Sequence, residues 1–203
     1  KEGTLSEKQE RQLVQVVNDF TRNPGYGHSY IVQVPRGASI GYIESKLVRI
    51  QRMFDIELVI MDYLALLKPD RRRDSRREEL AELLIGTKQL STTFNDGAGV
   101  AFVSPWQVSR AQREAAEKTG GYTTQATSET AEASNTPDLI LSLLAPLDNT
   151  DRVCTLKNQV LKARDAEKVA PMDVRIDYAT SRFFSGEERR EDFAFVGPGL
   201  LSL

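Results

Sequence analysis

The segment Leu58-Val59-Ile60-Met61-Asp62-Tyr63-Leu64 constrains this chain more than any other stretch: a bare apolar run, far shorter than a membrane span, that ends on a carboxylate. Such a run predicts a strand buried on both faces of a parallel sheet. Open α/β sheets bind ligands in the crevice beyond the carboxyl ends of their strands, which is where Asp62 is expected. A carboxylate there suits a Mg²⁺ bridging nucleotide phosphates, because Mg²⁺ keeps several waters and needs only one or two carboxylates. A strand-end aspartate that merely caps a turn has the same appearance.

With 203 residues, 40% of them hydrophobic and 28% charged, the chain suffices for one large domain with a proper core. The net charge of −2 means that nucleic-acid contact has to rest on local basic patches and not on a global field. One cysteine, Cys154, excludes an intramolecular disulfide, and its setting Val153-Cys154-Thr155-Leu156 suits a buried strand. Lys1-Glu2-Gly3-Thr4-Leu5 lacks an apolar signal core, and no apolar run reaches the ~18 residues of a membrane helix. A cytoplasmic protein without membrane contact is expected.

Thr4-x-x-Glu7 and Ser6-x-x-Gln9 both have the capping-box form, and Leu13, Val16, Val17 and Phe20 then mark one helical face, closed by Asn23-Pro24-Gly25. Tyr30 to Val34 reads as a short strand. Ile40, Ile43, Leu47, Ile50 and Phe54 carry the period of an amphipathic helix leading into the Asp62 strand, so that strand, helix and strand make a parallel unit. After the solvated segment Lys68 to Asp74, Ser75-x-x-Glu78 opens a helix toward Thr93 that Asn95-Asp96-Gly97 closes. A second apolar strand, Val100 to Ser104, follows. The Thr-, Ser-, Ala- and Gly-rich stretch from Glu114 to Pro137 reads as a long loop. Leu139–Leu144, Val153–Lys162 and Val174–Tyr178 then alternate as strands.

Several side chains admit two readings. Gln107 is either a polar strand terminus or an amide that reaches both a phosphate oxygen and an adjacent loop. Lys162 and Arg164, two apart, point to one face of a strand and can converge on one anion, yet they also fit a basic edge that discourages aggregation. Lys157 and Gln159 form a rival pair. The run from Lys68 through Arg77 is interleaved with acids, as a solvated helix start would be. His28 reads as a surface residue and Trp106 as a core or rim anchor.

Taken in order, these segments resemble the ATPase domain of DnaB-type replicative helicases, a branch of the RecA-like family. Asp62-Tyr63-Leu64 is similar to that family's "DYLQL", with Ala65 in place of the usual glutamine. Ser104-Pro105-Trp106-Gln107-Val108-Ser109-Arg110 is similar to its "SQLNR", with Pro105 and Trp106 added. Asn135 to Leu141 resembles "DADxVxFL", Lys162-Ala163-Arg164 resembles "KxR", and Ser181-Arg182-Phe183 follows at about the family's distance. The resemblance covers residues 1–183 as a partial RecA-like domain, with 184–203 as a tail.

The resemblance implies an α/β RecA-like fold, with a mostly parallel central sheet flanked by helices and antiparallel strands toward the C-terminus. It implies ATP and Mg²⁺ as cofactors, single-stranded DNA as partner and a homo-oligomeric ring, a hexamer. Asp62 would hold the metal, with Tyr63 and Arg182 beside the nucleotide; Gln107 would sense the γ-phosphate; Lys162 and Arg164 would enter the neighbouring subunit's site. Lys68, Arg71, Arg72 and Arg73 occupy the place of a first DNA-facing loop, and Arg110 and Arg113, in the stretch Arg110 to Ser128, that of a second.

One departure stands out: the chain has no G-x-x-x-x-G-K-[ST], and Gly86-Thr87-Lys88 does not supply it, because Ala81 stands where the earlier glycine belongs. The expectation is a fragment of a larger ATPase with Lys1 falling mid-domain. The rivals are a RadA- or KaiC-like ATPase in recombination or regulation, and a binding or assembly module that works without a P-loop.

Overall fold

The structure, a computed structural model, describes residues 5–23, 25, 27–71, 73–127, 130–146, 153–167 and 169–185. These fall into two units, one formed by the chain up to Gln33 and one beginning at Val34. The first contains α1 (Glu7–Arg22), opened by the expected capping box: Ser6 and Gln9 satisfy one another's backbone N–H groups. The expected face of Leu13, Val16, Val17 and Phe20 is present on α1 and is exposed.

The second unit is built around α2 (Ile40–Gln51) and α3 (Arg76–Thr93). Ser39 caps α2 by accepting from Tyr42 N at 3.3 Å, and Ile43, Leu47 and Ile50 are buried on one face. Ser75 caps α3, which buries Leu80, Leu83, Leu84 and Leu90. Leu83, fully buried, lies in a core with Ile43, Leu47, Leu64, Leu67 and Phe94. Asn95, Asp96 and Gly97 all have positive φ, which makes the expected turn after α3. Gly99, at φ +80°, is compulsory: a Cβ there would stand 2.9 Å from the Ser91 carbonyl oxygen. That close return places β2 (Ala101–Val103) beside β1 (Leu58–Ile60), in parallel, with Val59 opposite Phe102.

Neither strand is buried on both faces. Val59 and Phe102 pack on the core, while Leu58, Ile60 and Val103 are more than half exposed. The physical reason is that β1 and β2 form a sheet of two strands with helices against one face only. A mostly parallel sheet is therefore not what the described residues make. Tyr30 to Val34, expected as a strand, is extended without a ladder, and Ile31 is 96% exposed. The long loop expected from Glu114 to Pro137 is largely ordered as α4 (Arg110–Thr119), a 3₁₀ turn at Thr124–Thr127 and the single turn α5 (Glu132–Asn135).

A second sheet follows, antiparallel throughout, in the order β3 (Leu139–Leu144), β4 (Val153–Ala163), β5 (Met172–Asp177), β6 (Arg182–Ser185). The strands expected here are present, and β6 is one more. Cys154 is buried in β4, as its setting indicates. A bulge interrupts β3 and β4: Leu141 pairs with Val160 but Ile140 with Lys162, so Leu161 is an extra residue.

Candidate functional site

The carboxyl ends of β1 and β2 are tied together twice. Met61 N donates to Val103 O at 2.9 Å, and Leu64 N donates to the Ser104 hydroxyl at 2.9 Å. Leu64 and Leu67 are buried just beyond, so exposed Asp62 stands between two anchored points. The Asp62–Tyr63 peptide is cis. Next to it opens a cavity of about 380 Å³ lined by Tyr63, Ala65, Arg76, Arg77, Trp106 and Gln107. Trp106 packs against the core, as expected, and its Nε1 is buried without a partner among the described residues. Trp106 thus works as an anchor beside exposed Gln107 at the cavity wall. Arg76, which also lines the cavity, donates to the Ala65 carbonyl and pairs with Glu79 at 3.1 Å. No group of three or more His, Cys, Asp or Glu suited to a metal exists among the described residues. A single exposed carboxylate nevertheless fits Mg²⁺, whose remaining positions are commonly water and substrate phosphate oxygens.

The basic side chains expected near DNA are not equivalent. Lys68 and Arg71 are exposed, with the loop pinned below them by Lys68 N to Ala38 O at 3.0 Å. Arg73 is ion-paired with Glu82, which raises its pKa, while Arg72 lies outside the described residues. In the second stretch Ser109 and Gln112 form a capping box, so Arg110 and Arg113 sit in the first turns of a helix and not on a loop. The signal is present in the sequence as Ser109-x-x-Gln112, and the Thr- and Ala-rich composition around it obscures it. Arg110 is exposed; Arg113 is half-buried and donates to the Pro146 carbonyl at 3.4 Å.

Lys162 and Arg164 converge as their spacing implies. Lys162 Nζ donates to the carbonyls of Ser134 at 2.9 Å and Asn135 at 2.6 Å, and Arg164 Nη2 to that of Asn135 at 3.0 Å. The carbonyls that end α5 have no helical partner of their own and carry partial negative charge, which is why two cations settle there. Burial lowers the Lys162 pKa, and the Arg164 charge adds to that. The bulge reverses alternation along β4, so the rival pair shares the face: Lys157 donates to Gly120 O, and the Gln159 amide oxygen accepts from Tyr122 N at 3.0 Å. Gly121 is small because a Cβ there would collide with that amide. Arg182 opens β6 opposite Asp177.

A family model described as the DnaB-like helicase C-terminal domain matches residues 1–134, more than half of the chain. Lys162, Arg164 and Arg182 lie beyond that match. The structure is similar to a solved structure described as an ATPase domain, with a TM-score of 0.70 and 18% identity over 89% of this chain and 61% of that one. It is also similar to a DnaB-like replicative helicase whose structure is described together with its interactions with primase, with a TM-score of 0.64 and 18% identity over 84% of this chain and 39% of that one. The chain therefore spans less than two thirds of either relative, and at this identity the likeness concerns the fold, α/β and RecA-like. No curated protein matches the sequence. Among the described residues no helix is long and apolar enough to cross a membrane.

Proposed function

Because the chain belongs to the DnaB-like helicase C-terminal domain family, which uses ATP, we propose that it forms part of a ring-shaped motor that hydrolyses ATP between subunits to move along single-stranded DNA. The observation that carries this reading is Asp62, an exposed carboxylate held between two anchored points and followed directly by Tyr63, which lines a cavity together with Gln107. ATP with its Mg²⁺ supplies the phosphoryl group whose transfer drives movement, and Asp62 is the residue that would hold the metal, with Tyr63 and Arg182 near the nucleotide.

Gln107, neutral and at the edge of the cavity, offers a donor and an acceptor; it can bond a phosphate oxygen on one side and report to the segment leading into α4 on the other. Lys162 and Arg164 of one subunit approach the nucleotide of the next, where a planar guanidinium meets developing charge on the phosphoryl oxygens. Lys68, Arg71 and Arg110 track the DNA backbone, with Arg72, Arg73 and Arg113 as the further candidates. The phosphate cradle, which the 203 residues do not contain, comes in this reading from residues outside them.

The test uses rings that include the cradle. Arg164→Ala is expected to leave ATP binding largely intact and cut turnover about 10³-fold, the scale of a missing arginine finger. Mixing it with Asp62→Ala protein should recover part of the lost activity, since each supplies at some interfaces what the other lacks. Absence of recovery in rings shown to be mixed overturns the intersubunit role.

A further inference from the structure

Three segments far apart in the sequence meet at one carboxylate. Asp138, just before β3, binds Lys88 of α3 through one oxygen and Arg164 Nη1 through the other, the latter at 3.1 Å. The main chain joins in, with Arg164 N donating to Asp138 O at 2.9 Å. The second guanidinium nitrogen of Arg164 is taken by the carbonyls of Asn135 at 3.0 Å and Thr136 at 3.4 Å.

We propose that Lys88 and Asp138 form a positioning pair that sets the guanidinium of Arg164 for its approach to the neighbouring subunit's nucleotide; the inference rests on the interface reading above. A guanidinium has five donors in a rigid fork. Here Nη1 faces the Asp138 carboxylate and Nη2 the Asn135 and Thr136 carbonyls, while the side chain is 44% exposed. The clamp thus orients the guanidinium and leaves part of it open to an anion. A long cation that meets phosphate ordinarily gives up rotamer freedom at that moment, whereas Arg164 has given it up beforehand, which is how preorganisation assists a transition state.

Charge argues the same way. Lys88, Lys162 and Arg164 gather around a single carboxylate, and without it the cations repel one another. The Asp138 carboxyl is held below its ordinary range, chiefly by the Lys88 hydrogen bond, so it stays ionised at neutral pH. Ion pairs this exposed add little to stability. A loss of turnover without a loss of fold is therefore the outcome particular to positioning.

The experiment compares Asp138→Asn and Lys88→Met, alone and combined with Arg164→Ala, in rings that include the phosphate cradle. Asp138→Asn is expected to lower kcat about 10-fold with the KM for ATP and the urea midpoint nearly unchanged, and to add nothing once Arg164 is Ala. Lys88→Met should follow in the same direction, and Lys88→Arg should restore the rate. If Arg164→Ala reduces turnover but Asp138→Asn does not, or if Asp138→Asn raises turnover or costs as much in the Arg164→Ala background, the positioning pair is overturned and the interface reading stands. If Arg164→Ala itself leaves turnover unchanged, it is the interface reading that falls.

Discussion

Asp138 shows how a single residue can escape sequence reasoning. Its partners are Lys88, fifty positions earlier, and Arg164, and no local pattern joins them. In the sequence Lys88 is only the tail of a false phosphate motif, yet it holds one end of the network around Arg164. Asp62 and the spacing of Lys162 and Arg164 were legible because a strand end and a two-residue period are local facts. The bulge that also turns Lys157 and Gln159 to that face was not, since it exists only in the pairing of two strands. The network has a pH consequence with a definite sign. A carboxylate whose folded pKa lies below its unfolded value of about 3.8 contributes stability that is fully present above that value and is lost as pH falls through the folded pKa. At an ion pair this exposed that contribution is small, so the direct check is the carboxyl titration followed by NMR: Asp138 should titrate below its unfolded value, and Lys88→Met should move it upward. A titration that Lys88→Met leaves unchanged contradicts the assignment of Lys88 as the main partner.

Among the elements, α3 carries the most structural weight. It contributes Leu80, Leu83, Leu84 and Leu90 to the core, Arg76 to the cavity wall and Lys88 to the network. Burial outweighs capping here. Leu83→Ala, at a fully buried site, should cost about 2–5 kcal/mol. Ser75→Ala, which removes only the cap, should cost about 1 kcal/mol. Urea unfolding of the two variants checks the order, and equal losses would mean that α3 is held by its terminus and not by its leucines. Helices with a capping box or an amphipathic face, such as α1, α2 and α3, could be read directly, because capping and periodicity are properties of one segment. Strands were harder. Tyr30 to Val34 has strand composition but joins no sheet among the described residues, and β1 is exposed on one face because its sheet has only two strands. Strand identity depends on a neighbour that a single segment does not specify.

For the molecule as a whole, the net charge of −2 rules out a general attraction to nucleic acid, so the DNA affinity proposed above would have to be assembled from a few side chains on separate elements. Their environments rank them. Lys68, Arg71 and Arg110 are exposed, whereas Arg73 is paired with Glu82 and Arg113 is half-buried against Pro146. Each phosphate neutralised on a single strand adds about 0.7 to the slope of log affinity against log salt, so contacts by the three exposed cations amount to a slope of roughly −2. Replacing both Lys68 and Arg71 with Ala should remove about 1.4 of it. Arg73→Ala should change it much less, since the Arg73 charge is already taken by Glu82 and not by a phosphate. Fluorescence titration of a labelled oligonucleotide at several salt concentrations separates the cases. A slope that survives the double substitution removes the first loop from the DNA path, and a slope that falls as far with Arg73→Ala means that the Glu82 pair opens when DNA binds.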